Sequence, residues 1–106
     1  MTDYITHLGS VTESDAQVLR KAQANYGDSW KRRGGIGAFM MLARKWDRLE
    51  NAMTGGEGDA YDIFTRIEAD ERPEGIMDDV RDLRRYLVLI EAEMIARGHQ
   101  VPEQYK

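Results

Sequence analysis

Six apolar residues near the end of the chain, Ile76, Val80, Leu83, Leu87, Ile90 and Met94, are spaced 4-3-4-3-4. That spacing puts all six side chains on one stripe of a helix and scatters them over both faces of a strand. The stripe therefore predicts a long helix beginning at Ile76, with Gly98 as its stop. Three further helices are predicted upstream. Thr12-Glu13-Ser14-Asp15 resembles a capping box with Asp at its end, and Ala16, Leu19, Ala22 and Gln23 follow at helical spacing, so a first helix is expected over 13–25, before Gly27. A second, over 36–53, carries the stripe Phe39, Leu42, Ala43, Trp46, Leu49 and Met53, and Thr54-Gly55-Gly56-Glu57-Gly58 ends it. A shorter third, over 59–70, contains Tyr61, Ile63, Phe64 and Ile67 and stops before Pro73. No segment alternates as a strand would, and no repeat or low-complexity tract occurs. The expected fold is all-α: a bundle of about four helices in one domain over 1–106, with its core in 12–98 and arms at 1–11 and 99–106.

Length adds a constraint. A chain of 106 residues buries only about two-thirds of its unfolded surface. Val88 and Ile95 place apolar surface on a second face of the last helix, so the bundle is expected to be completed as a homodimer or larger homo-oligomer. The longest uncharged apolar run, Tyr86 to Ile90, falls far short of the roughly 20 residues that span a bilayer. No basic segment followed by an apolar one suggests secretion, so a cytoplasmic domain without a membrane partner is expected. The chain has no cysteine and two histidines, His7 and His99, which leaves no thiolate or His-rich metal site. A net charge of −4 argues against general nucleic-acid binding, which depends on neutralising phosphates.

The acidic residues are not scattered evenly. On the last helix Asp79 lies roughly 60° and Asp82 roughly 120° from the centre of the apolar stripe, on the same side as Tyr86. Asp78 falls near the opposite face. On the second helix Asp47 and Glu50 form another i,i+3 pair beside Trp46 and Met53. Two adjacent helices could converge these four carboxylates, and like charges share a partly buried space only when protonated or neutralised. The neutraliser suited to an all-oxygen set is Mg²⁺ or Mn²⁺, which also hold substrate phosphates. Equally, the acids could pair with Arg44, Arg48, Arg81, Arg84 and Arg85 as solvated helix faces.

A second constellation precedes the second helix. Trp30 can stack on a base, and Lys31, Arg32 and Arg33, followed by Gly34-Gly35 and a helix N-terminus, suit a polyphosphate. Neither a Walker A motif nor a Gly-x-Gly-x-x-Gly occurs. Alternatively, Trp30 plugs the end of the bundle while the basic run keeps the loop soluble.

Asp47-Arg48-Leu49-Glu50, then Asp79-Val80-Arg81-Asp82 continuing as Leu83-Arg84-Arg85-Tyr86-Leu87, resembles the paired Glu-x-x-Glu and Glu-x-x-Asp helices of the MazG-like, all-α nucleotide pyrophosphatase superfamily. Tyr26-Gly27-Asp28-Ser29-Trp30 and Lys45 to Glu50 are also similar to a smaller relative, the nucleotide modification associated domain family common in phages. The resemblance covers residues 16–95. It implies a Mg²⁺-dependent hydrolase that cleaves a nucleoside triphosphate to monophosphate and pyrophosphate and assembles as a dimer or tetramer. Under that implication Glu50, Asp79 and Asp82 hold the metal, and Asp47 is a ligand or orients the attacking water. Lys31, Arg32 and Arg33 neutralise phosphates while Trp30 stacks on the base and Tyr86 lines the site. The first residue of each motif departs from the family: Asp47 and Asp79 stand where it has Glu, one methylene shorter. A site that has lost that reach would leave a second possibility, a non-catalytic helical oligomer that binds or sequesters a nucleotide.

Overall fold

A computed structural model describes residues 3–55 and 59–105. The chain is all-helical: α1 spans Leu8–Tyr26, α2 Gly34–Thr54, α3 Ile63–Glu68 and α4 Ile76–Ala96, with 3-10 turns at Tyr4–His7, Ser29–Lys31 and Glu103–Tyr105. No helix among the described residues is long and apolar enough to cross a membrane.

Helix ends follow local chemistry. The first helix starts earlier than its capping-box pattern suggests. Asp3 caps the preceding turn by accepting from the Ile5 N–H at 3.0 Å, and helix runs unbroken through Thr12. The Thr12 hydroxyl donates back to the carbonyls of Leu8 and Gly9, each at 3.1 Å, so it serves a helix interior instead of opening one. Gly27 ends α1 at φ 63°, a conformation that favours glycine. Of the expected stop after α2, Gly56, Glu57 and Gly58 lie outside the described residues, while the Gly55 N–H closes the helix on the Asn51 carbonyl. The third helix is shorter than expected because Asp62 caps it, accepting from the Phe64 and Thr65 N–H groups. The cap of α4 comes from a distance: Asp70 Oδ2 accepts from the Ile76 N–H at 2.6 Å. A Cβ at Gly75 would collide with that carboxylate oxygen, so glycine lets the acid approach.

The centre of the molecule is the antiparallel pair α2 and α4. Ion pairs from Lys31, in the turn before α2, to Glu93, and from Lys45 to Asp82 and Arg48 to Asp79 fix its register, the basic partners advancing along the chain as the acidic ones on α4 recede. Both helices are rolled by roughly 50–60° from their expected apolar stripes. On α2 the inward line is Ala38, Leu42, Lys45, Leu49 and Met53, while Phe39 and Trp46 remain 67% and 52% exposed. On α4 it runs through Ile76, Asp79, Leu83, Tyr86, Ile90 and Glu93, leaving Leu87 and Met94 about half exposed. In this rotation the charged seam closes and the aromatic flank of α2 faces outward. Among the described residues the buried apolar side chains are Ala38, Met53 and Ile76.

A buried carboxylate locks α1 to this pair. Asp15 accepts from Arg84 Nε at 2.6 Å and Nη2 at 2.8 Å, and from Arg85 Nε at 2.9 Å. The two guanidiniums, Arg84 foremost, hold its carboxyl below the usual range against the opposing effect of burial.

Candidate functional site

The expected acids divide by helix. Asp79 is 2% exposed on the α4 face toward α2. Its Oδ2 accepts from an Arg72 guanidinium nitrogen at 3.4 Å. Its Oδ1, also 3.4 Å from a nitrogen of Arg48, is buried and accepts no hydrogen bond. One turn on, Asp82 Oδ2 accepts from Lys45 Nζ at 3.4 Å, and that ammonium also sits 5.7 Å from the centre of the Tyr86 ring. Asp79, Asp82 and Tyr86 thus lie along one seam. Asp47 and Glu50 are exposed, because α2 turns Lys45 and Arg48 toward the acids of α4. Asp47 is two residues past Lys45, roughly 200° around the helix.

This arrangement bears on the expected metal. Mg²⁺ and Mn²⁺ need several oxygen donors in one shell. Among the described residues no three His, Cys, Asp or Glu side chains are grouped to hold a metal ion. Lys45, Arg48 and Arg72 already supply positive charge to Asp79 and Asp82. The side chains as arranged in one chain do not fit a divalent cation. Asp78, the acid expected to face water, pairs with Arg81 at 2.5 Å.

The Trp30 loop builds a different kind of place. Its 3-10 turn carries the indole to the open end of the α2–α4 pair, where a cavity of about 480 Å³ is lined by Trp30, Phe39, Leu42, Leu87, Ile90 and Met94. Gly34 and Gly35, at the start of α2, form part of its wall. Lys31 Nζ donates to Glu93 Oε1 at 2.9 Å, and Arg97 Nε to Glu93 Oε2 at 2.9 Å. Lys31 first, then Arg97, holds the Glu93 carboxyl below its usual range. Two cations share one anion at the mouth, and Arg32 and Arg33 stand exposed beside it. The mouth is therefore positive and the interior apolar and aromatic. Tyr86 and Trp30 both line a further cavity of about 320 Å³ toward α1.

Three groups central to this geometry had no role in the expected site: Lys45, Arg72 and Glu93. Lys45 and Arg48 form an i,i+3 basic pair matching the Asp79 and Asp82 pair, a signal present in the sequence. Arg72 lies in the stretch between α3 and α4, where no period points to a partner. Compared with known protein families, curated proteins and solved structures, the chain matches none.

Proposed function

We propose that the protein is a nucleotide-binding helical domain that works as a homo-oligomer, taking the base into the Trp30 cleft and the phosphates onto Lys31, Arg32 and Arg33. The cleft carries this reading. Its volume of about 480 Å³ falls within the range of small-molecule sites, roughly 300–1,000 Å³. It combines an indole and a phenyl ring with a cationic mouth and glycines at a helix start, the features that suit a base, an anion and close backbone approach in turn.

Asp79 favours a second reading, a Mg²⁺-dependent nucleoside triphosphate pyrophosphohydrolase. A carboxylate oxygen buried without a hydrogen bond is costly, and a bound cation would satisfy it. The oxygen donors on α4 would be those of Asp79 and Asp82, while Asp47 and Glu50 stand exposed on α2 away from them.

Nucleoside triphosphates titrated against tryptophan emission, with pyrophosphate release followed in Mg²⁺ or Mn²⁺, separate the two. Binding that leaves the nucleotide intact over hours supports the proposal. Pyrophosphate release that disappears in Asp82→Asn establishes the enzyme instead. Trp46 also emits, so the variant Trp30→Ala decides whether the cleft is responsible. Loss of a stacked base is worth about 1–3 kcal/mol, or roughly 5–150-fold in affinity. Unchanged affinity in Trp30→Ala would rule out the cleft.

A further inference from the structure

The exposed flank of α2 is itself an organised surface. Ile36, Phe39, Met40, Ala43 and Trp46 recur at three- and four-residue steps, the spacing of a helix-pairing seam. Ile36 is 83% and Met40 53% exposed, alongside the exposed rings of Phe39 and Trp46. Small Ala43 sits in the middle. Charge is polarised along the seam, with exposed Arg32 and Arg33 at its start and exposed Asp47 and Glu50 toward its end.

The molecule's total surface shows how much is left to cover. A compact monomer of 12.2 kDa exposes about 6,100 Å². This chain exposes 8540 Å², and the surplus of roughly 2,400 Å² is on the scale of a permanent interface. Its radius of gyration, 15.9 Å, likewise exceeds the approximately 13 Å of a compact chain of this length.

We infer that the α2 seam is the interface for a second copy of this chain, paired antiparallel about a two-fold axis at Ala43. A two-fold interface must be complementary to itself, and only the antiparallel arrangement satisfies that here. It brings Met40 against the partner's Trp46 and sets Arg32 and Arg33 near the partner's Glu50. A parallel pairing would stack arginine on arginine and glutamate on glutamate. The two small Ala43 side chains let the helix axes approach at the crossing. Asp47 and Glu50, which sequence places in a metal site, thereby take part in assembly. The inference rests on the self-association proposed above, and the seam shares Phe39, Arg32 and Arg33 with the Trp30 cleft and its mouth.

The absence of cysteine makes the axis directly testable. Under mild oxidation Ala43→Cys should yield a disulfide-linked dimer, and Gln17→Cys, on exposed α1, should not. In light scattering the unmodified chain should give twice 12.2 kDa. Glu50→Arg should weaken the dimer by roughly tenfold or more, and Glu50→Arg combined with Arg33→Glu should restore it, with circular dichroism confirming helix content in each variant. A monomer at tens of micromolar overturns both this inference and self-association. A dimer in which Ala43→Cys does not cross-link, cross-links no better than Gln17→Cys, or ignores Glu50→Arg overturns the seam alone and leaves self-association standing.

Discussion

Asp15 is the acid whose removal should be felt most. It is buried against Arg84 and Arg85, so Asp15→Ala leaves two partly buried guanidiniums facing each other. Breaking a buried pair costs about 3 kcal/mol, and urea unfolding should show a loss of that order. The pH dependence has a definite sign. Asp15 and Asp70 both have folded pKa values depressed below the ordinary 3.8, that of Asp70 to about 2 through Arg72 and then the Ile76 N–H. Their stabilisation is therefore fully present above about pH 4. It is lost as pH falls through the depressed values. Acid titration of helicity should show unfolding moved to higher pH in Asp15→Asn, whereas an unmoved acid limb would refute the account. Sequence alone put Asp15 in a cap, because Thr-x-x-Asp has that spacing. The competing partners, Arg84 and Arg85, lie some seventy residues further on.

At the level of elements, the helices were legible and their rotation was not. The 4-3-4-3-4 stripe locates α4 at Ile76, and the stripe on α2 locates that helix to within two residues at its start. Hydrophobic periodicity assumes that a helix turns its most apolar side inward. Here Lys45, Arg48, Asp79 and Asp82 occupy part of that side, and their long stems and opposite charges take the seam. The rotation explains why two of the four expected acids, Asp47 and Glu50, are exposed. It also separates two residues of the same stripe. Ile76 is buried, so Ile76→Ala should cost about 3 kcal/mol in urea unfolding. Leu87, half exposed, should cost under about 1 kcal/mol. Equal losses would mean that the stripe, not the charged seam, faces α2.

For the whole molecule, so small an apolar interior makes stability a shared property. If copies associate through their native state, mass action ties folding to concentration, and the melting temperature should rise steadily with protein concentration. A melting temperature constant over a hundredfold range would show that one chain is stable unaided. The Asp15 ion pairs tie α1 to α4 beside half-buried Leu19 and Ala22, while Tyr4, Ile5, Leu8 and Val11 toward the start of the chain are exposed. An attachment made of charge depends on acidity and dissolved ions, whereas an oily one depends mainly on temperature. Gly27 joins α1 to the Trp30 turn without a side chain to resist rotation. The first segment to exchange its amide hydrogens with solvent in acid should thus be α1, swinging from that glycine as a unit while the α2–α4 pair stays closed.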